Sequence, residues 1–337
     1  MKARLQLFDP VLPPSQAEEI VRLCEAFGSY GSYAEEGTNR VQFAPELPNR
    51  FDAAANFVRT GGRLGRREDP ARLAARTNYF RETYAYDTPQ VAGIEPLLHH
   101  EGFLAAARRL HDASEIVPNI VYANLLVPGQ ELAVHTDVPE FRGANRKLFP
   151  QWLMVVMHHS GLFDDWRMRI ATGIAYFREC AGGDLAYYPD GPQAPPHTLR
   201  ARHNTAILLD TDSVFHGVDR VEERTPLPAL RPGMKLCFLG NDRWEVGPVD
   251  AAPLAHYAWE ELRFSVSWKA YCYRDAAERR LAEEHGDDLD LDRILTTLTA
   301  DLRRRGSLEG PIPADRELAL LLIDEYVKFP AAAPAAA

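Results

Sequence analysis

The chain has 337 residues, and 48 acidic against 38 basic side chains leave a formal net charge of −10. That balance argues against a nucleic-acid binder, which carries a basic footprint. No stretch approaches the ~20 apolar residues of a membrane span. Met1-Lys2-Ala3-Arg4 leads into no apolar run of the secretory kind, so the sequence predicts a cytoplasmic protein with no membrane partner. Cys24, Cys180, Cys237 and Cys272 are scattered without a Cys-x-x-Cys pair and read as free thiols.

In chain order, the first predicted element is a helix with Ser15 as its cap and Glu18 at the capping-box position. Ile20, Val21, Leu23, Cys24 and Phe27 give it an apolar face. Residues 59–76 hold Arg59, Arg63, Arg66, Arg67, Arg72 and Arg76 among three glycines. They read as a solvated loop or as a lid that attracts an anionic substrate. Residues 77–84 are strand-like, and a helix is expected over about 95–112. His99, His100 and His111 there read as structural.

From residue 117 the texture changes to short β segments divided by turn signals. Strands are expected at 120–127, 131–137, 152–158, 170–177, 185–188, 205–209 and 214–218. A hairpin is expected around Gly240-Asn241-Asp242, and a closing strand at 262–271. Beyond Tyr273 come helices, one built on Leu291, Ile294, Leu295, Leu298 and Leu302 and stopped by Gly306. A last helix begins at Pro313, and the Pro/Ala tail at 331–337 reads as disordered. The layout is a single domain over 1–330: support at 1–116, a β core at 117–273 with an inserted hairpin at about 226–260, and C-terminal helices at 274–330.

Within the core, His135-Thr136-Asp137 places an imidazole and a carboxylate two apart, on one face of a strand. With a second histidine they would form the 2-His-1-carboxylate set of non-haem Fe(II) enzymes. His216, between an apolar strand and Gly217, is the best candidate; His197 and His203 sit in loop-like sequence. Arg263 and Ser265 share a strand face, with Ser267 and Lys269 further along it. An arginine fork beside a hydroxyl suits a carboxylate. Arg231 and Lys235 are fallback cations.

Together, His135-x-Asp137, His216 and Arg263-x-Ser265 resemble the signature of Fe(II)/2-oxoglutarate-dependent dioxygenases. Pro128-Gly129-Gln130, Gly182-Gly183-Asp184-Leu185, His216-Gly217-Val218 and Trp268 are similar to the prolyl-4-hydroxylase-like branch. The resemblance covers residues 117–273. It implies a mainly β protein with flanking helices, built on a double-stranded β-helix (jelly-roll, cupin-like) core. It also implies His135, Asp137 and His216 as metal ligands and catalytic centre, with Fe(II), 2-oxoglutarate and O2 as cofactor and co-substrates. Arg263 and Ser265 would bind 2-oxoglutarate. Leu126 stands where the branch has a tyrosine, so Tyr122 or Asn124 would supply that contact. Asp137 departs from the halogenases, which carry a small residue there.

The implied reaction is oxidation of an unactivated C–H bond of a small polar substrate such as an amino acid, by hydroxylation, desaturation or cyclisation, with release of succinate and CO2. Arg142, Trp152 and His158 are the candidate substrate contacts. The inserted hairpin is a candidate lid or homodimer surface. Two rivals are a zinc hydrolase on the same three ligands and a non-catalytic jelly-roll binding protein. The first gives no reason for Arg263-x-Ser265, the second none for the spacing.

Overall fold

The computed structural model describes residues 4–33, 50–63, 65 and 67–331. Arg66 and tail residues 332–337 lie outside the described residues. Strand order identifies the architecture. Eight strands run in sequence as Glu115–Leu126, Leu132–His135, Ile170–Phe177, Leu185–Tyr187, His197–Leu199, Thr205–Leu209, His216–Val218 and Arg263–Tyr273. The first, third, sixth and eighth lie side by side in a large sheet; the second, fourth, fifth and seventh form a small one. That alternation is a jelly roll made of two open sheets, not a closed barrel. Strands from outside the roll extend the large sheet to ten.

Period-two alternation fixes which face each residue takes. On Arg263–Tyr273, Phe264, Val266, Trp268, Ala270 and Cys272 join the main apolar cluster with Ile20, Cys24, Phe103 and Ala107 of the helices Pro14–Phe27 and Glu101–His111. Arg263, Ser265, Ser267 and Lys269 take the other face, toward the roll interior. The helices Gln151–Ser160, Leu291–Arg305 and Asp315–Tyr326 build a second core with Val134, Tyr188 and Phe215 at the small sheet. Helices therefore buttress the roll on both sides.

Several local expectations change. Residues 152–158 are not a strand but part of the helix Gln151–Ser160. Trp152 to Met157 are all buried, and a fully buried apolar run has no readable period. Its stops were the better signal: Pro150 at the N-cap and Gly161 in the left-handed region at the C-cap. The first helix starts at Pro14 with no side-chain cap, so Ser15 and Glu18 do not play the predicted roles; the ring at the first helical position presets φ. The 95–112 helix is two, Glu95–Leu98 and Glu101–His111, with the His100 ring accepting from the Phe103 N–H.

The inserted hairpin is tied into the large sheet: Lys235–Gly240 pairs with Ser29–Ser32, and Leu236, Trp244 and Val246 are buried. The arginine-rich stretch is equally engaged. Arg63 pairs with Asp219, Arg72 with Glu223, Arg76 with Glu68 and Glu223, and Arg59 with Asp324.

Candidate metal and co-substrate site

His135 and His216 are directly opposite one another across neighbouring strands of the small sheet. Opposed residues in an antiparallel pair share a face. The two rings accordingly lie 4.5 Å apart, centroid to centroid. Each ring directs Nδ1 at a backbone carbonyl two residues back, Ala133 O at 2.6 Å and Val214 O at 2.9 Å. A donated Nδ1–H fixes the tautomer and leaves the Nε2 lone pair free for a metal. Both Nε2 atoms face Asp137 Oδ1, at 3.5 Å and 3.7 Å. The Asp137 N–H donates to Thr211 O at 2.8 Å, which anchors the residue just past its strand. Three ligand atoms thus converge on one point within 4.8 Å of one another.

The other carboxylate oxygen of Asp137 accepts from Lys269 Nζ at 2.6 Å. Burial would raise the Asp137 carboxyl, but the Lys269 ammonium outweighs it and holds the group well below the usual carboxylate range. Burial alone would lower Lys269; Asp137 reverses this and keeps the ammonium charged. Burial, with His135 alongside, pushes His216 down to about 4. At neutral pH His216 is therefore neutral and Asp137 ionised, the states a metal needs.

Further along the same face, Arg263 is 3% exposed. Its Nε donates to Gly183 O at 2.7 Å and Nη1 to Ser265 Oγ at 3.1 Å. The guanidinium stands 5.2 Å from the Tyr176 ring centroid. Gly183 has φ +69°, and a Cβ there would meet Arg263 Cδ at 2.8 Å, so only glycine lets the side chain pass. Among the described residues no carboxylate pairs with Arg263, and the buried Tyr176 hydroxyl makes no well-formed hydrogen bond, with the Arg263 guanidinium beside it.

Asn124 donates to Ser267 Oγ at 3.2 Å and leaves its own oxygen unpartnered. The Tyr122 ring lies under the Arg81 guanidinium, 3.5 Å from centroid to Cζ. Arg231 and Lys235 are exposed.

The predicted substrate contacts lie elsewhere. Arg142 is locked to Asp287 at 2.6 and 2.8 Å and to Asp165 O at 2.7 Å. Trp152 is in the helical core, and His158 reaches Ser213 at 3.2 Å. None of the three lines the cavity of about 940 Å³ that opens over His135 and Asp137. Its walls include Lys269, Tyr122, Arg81 and Tyr271, with Phe57 and Leu73. Lys269 and Arg81 are the site residues that sequence reasoning missed. The alternation that placed Ser265 beside Arg263 also placed Lys269 there, and a lysine continuing a buried serine face was the available signal. Arg81 had none beyond being a charge in a strand.

Among the described residues, no helix is long and apolar enough to cross a membrane. No family model matches the chain, and no curated protein does. Solved structures do. A Pseudomonas putida prolyl-4-hydroxylase is 12% identical over 80% of this chain and 93% of its own, at a TM-score of 0.39. HygX from Streptomyces hygroscopicus, with nickel, 2-oxoglutarate and hygromycin B bound, is 10% identical over 82% and 90%, at 0.39. The non-haem α-ketoglutarate-dependent epimerase SnoN of nogalamycin biosynthesis is 11% identical over 82% and 83%, at 0.42. At these identities and scores, the jelly roll rests on strand order and the site on its own geometry.

Proposed function

We propose that this protein is an Fe(II)- and 2-oxoglutarate-dependent oxygenase that oxidises a C–H bond of a small molecule, by hydroxylation, desaturation or ring closure. The observation that carries this reading is Arg263. A buried cation without an anion is costly, and proteins keep one only where an anion arrives. Arg263 lies in the same roll as a 2-His-1-carboxylate set, flanked by Ser265 and the Tyr176 hydroxyl. These groups fit the distal carboxylate of a 2-oxo diacid.

His135, Asp137 and His216 would hold the iron, a donor set suited to non-haem Fe(II). When bound, iron, 2-oxoglutarate and dioxygen supply the oxidising power, with succinate and CO2 as by-products. The protein's own contribution is positional. Lys269 ties down the outer oxygen of Asp137, so the inner one stays aimed at the histidines. The backbone carbonyls of Ala133 and Val214 hold both rings in one tautomer. A zinc hydrolase would use the same ligands but leave Arg263 without a task.

Anaerobic addition of Fe(II) and 2-oxoglutarate tests the reading through the metal-to-ligand charge-transfer band. We expect a band in the wild type. In Arg263→Ala the 2-oxoglutarate concentration for half-maximal band should rise by roughly thirtyfold or more, the equivalent of about 2 kcal/mol. Iron affinity should be unchanged. No band in the wild type would remove the oxygenase assignment.

A further inference from the structure

The cavity over the metal ligands has two unlike walls. One is apolar: Phe57 and Leu73, from the helices Phe51–Thr60 and Pro70–Thr77, with Ala133 beside His135. The other is cationic. Arg81, Arg146 and Lys147 line it, and none pairs with a carboxylate among the described residues. Among the described residues the lining holds Arg50, Arg81, Arg146, Lys147 and Lys269 against the acids Glu82, Asp137 and Glu140. Glu82 accepts from the Gly31 N–H, Glu140 from the Tyr271 hydroxyl, and Asp137 from Lys269. In a chain with a net charge of −10 this local surplus of cations runs against composition. A surplus of one sign in a low-dielectric cleft concentrates ligands of the other.

Arg81 is the fixed member of this wall. It sits on the strand Phe80–Ala85, outside the eight strands of the roll, opposite Asn124, which is in turn opposite Ser265. Opposed residues share a face, so Arg81 is turned to the same interior as Ser265. Its guanidinium carbon lies 3.5 Å from the Tyr122 ring centroid and 4.9 Å from that of Tyr33. Stacking on the rings and a hydrogen bond with the Tyr79 hydroxyl restrain the side chain, and the remaining in-plane N–H donors are left for a ligand. Four of the six arginines of 59–76 differ: Arg59, Arg63, Arg72 and Arg76 are spent on carboxylates.

We infer that the substrate is a carboxylic acid with an apolar body, its carboxylate held by the in-plane donors of Arg81 and its apolar part laid along the Phe57–Leu73 wall toward the metal ligands. This deepens the oxygenase reading and rests on it for the reaction, though not for the binding. Arg263 and Arg81 then divide the anions: the first takes the co-substrate inside the roll, the second the substrate in the cavity. The planar fork pairs bidentately with carboxylate and phosphate alike, so a phosphate monoester belongs in the test.

Titration calorimetry with octanoate and hippurate, their uncharged amides, and octyl phosphate tests this on metal-free protein and on the anaerobic Fe(II)–2-oxoglutarate complex. At least one carboxylate should bind wild type about tenfold or more tightly than Arg81→Gln, while its amide binds both proteins alike. Arg81→Lys should recover only part of the loss, and the band titration with 2-oxoglutarate should be unchanged in Arg81→Gln. If no carboxylate distinguishes wild type from Arg81→Gln, or if octyl phosphate is the only ligand that does, the assignment falls. It falls equally if Arg81→Gln weakens 2-oxoglutarate by the same factor, which would make Arg81 a co-substrate residue. A missing band with carboxylate discrimination intact would overturn the oxygenase reading alone and leave the Arg81 site standing.

Discussion

Along strand Arg263–Tyr273, Phe264, Val266, Trp268 and Ala270 point one way and Arg263, Ser265, Ser267 and Lys269 the other, and no residue of either set is more than 6% exposed. Burial is therefore equal and chemistry opposite. The outer set repays burial through packing: Trp268 meets Phe103 at 5.4 Å between centroids and donates from Nε1 to Leu98 O at 2.9 Å. The inner set does not close its own accounts. Lys269 has Asp137 as counter-ion, but among the described residues Arg263 has no acid, only the Ser265 and Tyr176 hydroxyls and a backbone carbonyl. A face kept polar at equal burial, with valences left over, is shaped for a ligand more than for the fold.

The largest effect should come from the outer face. Trp268→Ala removes a fully buried indole and its hydrogen bond and should cost about 3–5 kcal/mol of unfolding free energy. Urea titration of the metal-free protein would show it, with the 2-oxoglutarate and iron affinities of the folded fraction nearly unchanged. A loss of ligand affinity matching the loss of stability would break the distinction between the faces.

Next in size is Lys269→Met on the inner face. Its length is kept and its charge removed, so the outer oxygen of Asp137 loses its donor. A group that hydrogen-bonds a metal ligand in this way is worth roughly 10–100-fold in metal affinity. Equilibrium titration with Fe(II) or a surrogate divalent ion should show that weakening. An unchanged metal affinity would reduce Lys269 to a structural ion pair.

Much of this contrast was legible in the sequence, because period-two alternation and a histidine-carboxylate pair are local signals. His135 and Asp137 share a face through two-residue spacing alone, and Arg263 and Ser265 do the same. The meeting of His216 with His135 is a matter of register, which no local pattern states: an apolar strand before it and Gly217 after it pointed to His216, and the register places it opposite His135. Residues 152–158 failed for a physical reason: buried on every side, they have neither helical nor strand period. Arg142 failed for another. Its partner Asp287 is 145 residues away, and a single sequence does not tell a committed arginine from a free one. Arg81 was invisible for the converse reason, since its distinction is the absence of a counter-ion among the described residues.

The smallest expected effect concerns Asp212, which is fully buried with neither carboxylate oxygen hydrogen-bonded. Burial raises its carboxyl to about 7; Lys269 and Arg167 pull it down, while Asp210 and Asp137 push it up. In the unfolded chain the group titrates near its ordinary value of 3.8. Between those values the folded protein holds a proton that the unfolded chain has released, so stability contributed by this group falls as pH rises through the window. Asp212→Asn keeps the shape and cannot ionise. The urea midpoint of the metal-free variant should therefore exceed that of wild type by a margin that grows from about pH 5 to about 7 and then levels off. A margin independent of pH would mean that Asp212 is ionised throughout and balanced by Lys269. Lys269 would then serve two acids, and its hold on Asp137 would be weaker than the 2.6 Å contact implies.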